Sequence, residues 1–312
     1  MPAEASSLSS RFNRAAIGSE PPLGGNSRPE QENAKKWQAI GSAPMADLPD
    51  SLSMKNLSRR FALPLASLLV GVASLPPCPA EAGARRFTYV YEATTSAPGS
   101  IESENWITWG TRMRDDRNFN KVDFRHEIEV GITEHFQASL YLADWSYLDS
   151  PAEGRPGFSY DASALELIYN LTNPTTSFLG SAIYEEVRLG PEIIELESKL
   201  ILQKNIGPVV IAYNATLEAK WEGPDRSERT GEFAQSVGVS YEVSPSLSVG
   251  GELLHEVDLP DWRAAKDSIV YGGPDVSYRH GHWWVTITPL LQLTEISSEV
   301  DFQTRAIVGF SF

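Results

Sequence analysis

The sequence is short of three things. It holds one cysteine, Cys78, in 312 residues, so no disulfide can close within one chain and no cysteine metal site can form. It has no apolar run of the ~20 residues that a spanning helix needs; the longest stretch, residues 61 to 75, is shorter. It is also short of base, with 26 Lys and Arg against 41 Asp and Glu and a formal charge of -15. Nucleic acid is therefore not an expected partner, because phosphate binding needs clustered Lys and Arg. The five histidines, His126, His135, His255, His280 and His282, form neither HExxH nor a Cys/His pattern. GxSxG and Gly-rich phosphate loops do not occur either. No catalytic residue, metal or cofactor is expected.

What is present begins with a leader. Residues 1 to 53 are rich in Ser, Pro, Gly and charge without periodicity, and read as a disordered leader or as the product of a misplaced start at Met1. Residues 54 to 84 then carry Lys55, Arg59 and Arg60, an apolar core from Phe61 to Leu75, and small residues at Ala80, Ala82 and Ala84. That order is a secretory signal, with cleavage expected between Ala82 and Ala84. Pro76 and Pro77 before Cys78 exclude a lipoprotein site. The expected mature domain, 85–312, holds 18 Lys and Arg against 34 Asp and Glu, a net charge of -16.

The mature segment is patterned at period two almost throughout, the strand period. In residues 121–132, Val122, Phe124, Ile128, Val130 and Ile132 share one face with His126, and Lys121, Asp123, Arg125, Glu127, Glu129 and Gly131 share the other. Residues 209–221 put Val209, Ile211, Tyr213, Leu217 and Trp221 against Asn214, Thr216, Glu218 and Lys220. Twelve such runs are expected, near 101–114, 119–132, 134–148, 158–172, 177–189, 192–204, 207–221, 231–243, 246–257, 268–280, 282–295 and 302–312. The connections alternate between tight turns and more polar, mostly longer loops. Strands in soluble proteins have a mode near 5–6 residues, whereas a tilted strand crossing a bilayer needs about 9–11. Long strands, an even count and one set of short turns predict an all-β fold: a closed, up-and-down, antiparallel transmembrane β-barrel of about 12 strands. Closure follows because lipid offers an open sheet edge no hydrogen-bond partner.

Aromatics are expected in two girdles at the two water–lipid interfaces. Phe136, Tyr169, Tyr241, Trp283 and Phe312 lie toward the tight-turn ends, and Trp145 and Trp221 toward the others. The closing segment, residues 305–312, alternates Ala306, Val308, Phe310 and Phe312 with Arg305, Ile307, Gly309 and Ser311. It resembles the C-terminal assembly signal of bacterial outer-membrane proteins. That resemblance implies recognition by the barrel-assembly machinery and placement in the outer membrane. Residues 88–109, with Tyr91, Glu92, Ala93, Pro98, Gly99, Glu102, Trp106 and Trp109, are similar to the N-terminal region of proteobacterial outer-membrane barrels in a domain-of-unknown-function family. The runs 131–142 and 273–279 share the likeness. Such a family carries over no catalytic residues.

The bore is expected to be lined by Lys121, Arg125, Glu127, Glu129, Glu195, Glu197, Lys199, Glu218, Lys220, Glu252, Arg279 and Arg305. One reading is a wet, acid-biased lumen that passes a small polar or cationic solute, with these residues setting selectivity. The other is a salt-bridged filling that conducts nothing and serves structure or adhesion. A third class, a lipid-acting enzyme, would need a Ser and a His together on the lipid-facing side; His255 falls there with Ser236, Ser240 and Ser268 nearby in sequence, but Ser236 and Ser240 fall on the opposite face.

Overall fold

The computed structural model describes residues 84–152, 156–263 and 268–312. The expected leader and nearly all of the expected signal lie outside the described residues. Twelve strands follow one another: β1 Ile101–Met113, β2 Asn120–Thr133, β3 Phe136–Asp149, β4 Gly157–Thr172, β5 Gly180–Leu189, β6 Ile193–Ile206, β7 Val209–Glu222, β8 Glu228–Ser244, β9 Leu247–Pro260, β10 Ser268–His280, β11 Trp283–Gln292 and β12 Val300–Ser311. Each pairs antiparallel with the next, and β1 pairs with β12 from Glu102↔Ser311 to Met113↔Val300. The sheet is therefore a closed barrel without edges. The Phe312 N–H donates to the Ile101 carbonyl at 2.9 Å, which carries the seam past the last paired residues.

All twelve expected runs are strands, with ends displaced by a few residues. The largest shortfalls are at β5, which begins at Gly180 because residues 173–179 form the turn, and at β11, which stops at Gln292. Four of the tight turns hold two residues each, between β2 and β3, β6 and β7, β8 and β9, and β10 and β11. Gly207 and Gly281 occupy positive φ (57° and 60°) in two of them, a conformation that a side chain disfavours.

Side chains are sorted opposite to those of a soluble barrel. Outward Ile107, Leu142 and Phe158 are 44%, 54% and 71% exposed, whereas inward Glu166 and Lys220 are 0% and 1% exposed. Apolar exterior and polar interior are the sorting that lipid stabilises, since only apolar surface gains by leaving water for hydrocarbon. The chain is a transmembrane-type β-barrel. Among the described residues no helix is long and apolar enough to cross a membrane, and the strands provide the crossing surface.

Two features were not in the sequence reading. Residues 85–100 are not part of the wall but run through the bore as a strap. The bore also carries apolar and aromatic side chains. Trp106, Tyr184, Ile201, Trp284 and Ile307 pack around Tyr91 and Ala93 of the strap. Leu254, Ile269, Tyr271, Leu290 and Val300 form a second inward cluster against Tyr89.

Candidate functional site: the bore and its strap

The strap has no sheet partner, so its buried backbone needs other hydrogen-bond partners. The wall supplies them from side chains. Glu252 on β9 accepts from three successive N–H groups, Thr88 at 2.9 Å, Tyr89 at 2.8 Å and Val90 at 2.8 Å. The Thr288 hydroxyl donates to the same carboxylate at 2.6 Å. Asn214 on β7 pairs with Tyr91 in both directions: its Oδ1 accepts from the N–H at 2.7 Å and its Nδ2 donates to the carbonyl at 2.9 Å. Gln203 on β6 accepts from the Ala93 N–H at 2.7 Å, and Asn170 on β4 donates to the Ala93 carbonyl. Gln137 on β3 accepts from the Ser96 N–H at 2.8 Å. Strands β9 and β3 stand six apart in a ring of twelve. The strap thus crosses from one wall to the opposite one.

Steric fit follows the same line. The Phe87 ring lies against Gly238 of β8, where an added Cβ would stand 2.6 Å from the ring. Gly131 of β2 likewise leaves room for the Ala97 carbonyl. Arg85 is held at both ends. Its carbonyl accepts from Ser277 at 2.8 Å and Thr286 at 2.5 Å. Its guanidinium bonds Glu104 at 2.9 Å and lies over the Tyr91 and Trp106 rings at 4.6 and 4.9 Å.

Toward the long connections the bore is spanned by ion pairs. Asp144 on β3 joins Arg125 at 3.1 Å and Arg188 at 3.0 Å; Arg125 continues to Glu186 at 3.0 Å and Arg188 to Glu195 at 3.4 Å. Lys199 bonds Glu197 at 2.7 Å and lies over the Tyr91 and Tyr184 rings at 4.1 and 4.2 Å. Lys220 bonds Glu218 at 2.7 Å, with Glu232 at 3.7 Å. Burial of so many charges is tolerable only because each faces an opposite charge or a polar donor. Cavities remain around these groups. One of about 220 Å³ lies beside the strap at the tight-turn end. One of about 110 Å³ is bordered by Arg125, Asp144, Arg188 and Arg305. One of about 80 Å³ lies between Tyr89, Lys199 and Glu256.

The structure places the twelve expected bore residues inside, in three groups. Arg125, Glu195, Glu197, Lys199, Glu218 and Lys220 belong to the ion-pair region, beside Lys121, which bonds Asp123 at 2.8 Å. Glu252, Glu129 and Arg305 touch the strap: Glu129 accepts from the Ser96 hydroxyl, and Arg305 donates to the Thr88 carbonyl at 3.3 Å and lies over the Tyr89 ring at 3.9 Å. Glu127 lies beside Arg85, and Arg279 bonds the Pro245 carbonyl at 2.6 Å at the tight-turn rim. Sequence reasoning missed Asp144, Glu186 and Arg188, although they sit at inward positions of β3 and β5. It also missed the amides of Gln137, Asn170, Gln203 and Asn214, whose role needs the strap to be known. Of the expected interface aromatics, Tyr169, Tyr241 and Trp283 are exposed near tight turns, with Phe136 and Phe312 half-buried there. Trp145 stacks on Phe124 at 4.1 Å and Trp221 meets Trp262 edge-on at 5.0 Å. His255 faces outward, with Gln235 Nε2 3.5 Å from its Nδ1, whereas Ser236 and Ser240 are buried inside.

A family model described as a family of unknown function, DUF6662, matches residues 79–305. No curated protein sequence matches the chain. Among solved structures, it is similar to the NanC porin at 8% identity and a TM-score of 0.47, over 67% of this chain and 98% of that one. It is similar to the KdgM porin at 12% identity and a TM-score of 0.43, over 68% and 99%. The translocator domain of the autotransporter NalP from Neisseria meningitidis matches at 11% identity and a TM-score of 0.44, over 82% and 96%. The fold rests on the strand pairing and not on these likenesses.

Proposed function

We propose that this chain, which belongs to the DUF6662 family of unknown function, is an outer-membrane barrel that passes a small polar or cationic solute, with the strap as the obstruction that must move. What supports this reading is a bore lined by ionisable side chains, more of them Glu and Asp than Lys and Arg among those named, with cavities of about 220, 110 and 80 Å³ around the strap. A wall of that sign attracts cations. Arg125, Glu127, Glu129, Glu195, Glu197, Glu218 and Glu252, with Lys121, Lys199, Lys220, Arg279 and Arg305, set the local field that a solute meets. Short turns face the periplasm in barrels of this kind, so the strap enters from the periplasmic end. Export by the signal segment and insertion by the assembly machinery through β12 complete the reading.

Planar-bilayer recording of the refolded barrel tests it. The wild type is expected to give rare or small current steps. Glu252→Ala, which removes the acceptor for three strap N–H groups, is expected to give larger or more frequent ones. No steps from either protein, with both barrels folded, would overturn passage. The strap's anchoring on opposite walls favours a second reading in that event: a non-conducting structural or adhesion barrel. A lipid-acting enzyme would instead require lipid turnover that His255→Ala abolishes.

A further inference from the structure

Two triads of glutamates face the bore, and in each the carboxylate oxygens lie within 4.8 Å of one another. Glu195, Glu197 and Glu218 are supplied with cations: Lys199 and Lys220 each approach to 2.7 Å and Arg188 to 3.4 Å. Glu127, Glu129 and Glu166 are not supplied in this way. The cation the structure places beside them is Arg85, whose Nη2 stands 3.9 Å from both Glu127 and Glu129 while its short bond goes to Glu104. Three buried carboxylates, Glu104, Glu127 and Glu129, therefore share one guanidinium. Glu129 accepts from Gln137 at 2.7 Å and from the Ser96 hydroxyl, and Glu166 accepts from Tyr141 at 2.6 Å, Tyr91 at 3.3 Å and Ser139 at 3.3 Å. Glu127 is 1% exposed, and among the described residues neither of its carboxylate oxygens has a hydrogen-bond partner. A buried carboxylate left in that condition is strongly unfavourable.

We propose that Glu127, Glu129 and Glu166 form a binding site for a divalent cation of the calcium class. The donors are all carboxylate oxygens, which suit a hard cation and not a thiolate- or imidazole-seeking metal. Two calcium–oxygen bonds of about 2.4 Å span the separation found, so one ion reaches all three groups. Calcium also tolerates irregular geometry and water among its ligands, whereas magnesium demands a near-ideal octahedron. The site touches the strap on two sides, through Ser96 on Glu129 and Arg85 beside Glu127. An ion there fixes the wall against which the strap is held. The proposal does not depend on solute passage and is read without any current.

Terbium titration of the full chain, refolded in detergent and stripped with chelator, tests the site. Terbium replaces calcium at oxygen sites and emits when a nearby aromatic ring is excited, and the Tyr141 hydroxyl is bonded to Glu166. Saturable emission is expected, displaced by calcium and much less by magnesium. Glu127→Gln is expected to weaken terbium affinity by at least the about 10- to 100-fold that loss of even an outer partner costs a metal site. Glu197→Gln, in the lysine-supplied triad, is expected to keep the wild-type terbium affinity. Emission that Glu127→Gln leaves unchanged would place the ion elsewhere and overturn the proposal, as would no emission. If Glu127→Gln fails to fold, the wild type alone decides: calcium is expected to slow hydrogen exchange at residues 87–97 of the strap, and equal exchange in calcium and chelator overturns the site.

Discussion

At the tight-turn end the bore is crossed by a stretch of chain; at the long-connection end it is crossed by ion pairs. The strap presents backbone N–H groups, and the wall meets them with Glu252, Asn214, Gln203 and Gln137. Arg125, Asp144, Glu186, Arg188 and Glu195 instead pair side chain to side chain across the wall. The two kinds of contact come apart in different ways. A side-chain pair separates by rotamer changes within a fixed wall. The strap leaves only if several backbone groups lose their acceptors together, or find water as they go.

The largest effect should come from Glu252→Ala, because three strap N–H groups are orphaned, at about 1–3 kcal/mol each. Hydrogen exchange at residues 87–91 is expected to rise steeply while heat-modifiable gel migration still reports a closed barrel. Unchanged exchange would mean that the strap does not depend on this carboxylate. Next is Asp144→Leu, which leaves Arg125 and Arg188 without a shared partner; breaking one side of a buried pair costs about 3–5 kcal/mol. Partial exposure of both arginines and their remaining bonds to Glu186 and Glu195 put the expected loss at the low end. Denaturant unfolding in micelles measures it, and a loss equal to that from an exposed pair would refute the division between the two ends. Gly238→Val should follow at about 1–3 kcal/mol, because the new side chain strikes the Phe87 ring. Strap exchange should change and the ion-pair end should not. Asp301→Asn, which removes the exposed 2.7 Å pair with Arg117, should cost below about 1 kcal/mol.

Most of the wall was legible because two constraints act on every strand at once. Period two assigns each residue to lipid or to the bore, and length selects a membrane-crossing strand over a soluble one. Val122, Phe124 and Ile128 could face only outward if Lys121, Asp123 and Glu127 were to escape lipid. The twelve charged bore residues followed from the same rule. Asp144 sits where β3 shifts register against β2 and β4, and a register shift blurs the alternation on which its assignment rests. Arg188 lies one residue from the end of β5, where strand and connection cannot be told apart by pattern.

The strap illustrates the other limit. Residues 85–100 carry Tyr91, Glu92, Ala93 and Pro98 without a strand pattern, and nothing local says that such a stretch turns into a barrel. Inward Asn214 looked like an ordinary lumen polar group until the Tyr91 backbone was placed beside it. The inward Trp106 and Tyr184 likewise contradict a bore of charge alone; they are inside because Tyr91 gives them something to pack on.

Local pattern was enough for the barrel: how many strands, which face meets lipid, and that the last strand must close on the first. These follow from short-range periodicity and from the absence of hydrogen-bond partners in hydrocarbon. The contents of the bore depend instead on contacts between distant parts of the chain. Which carboxylate receives a lysine, which receives a backbone amide and which receives neither depends on residues such as Glu252 and Thr88 that lie 164 positions apart, and no local pattern encodes such a meeting.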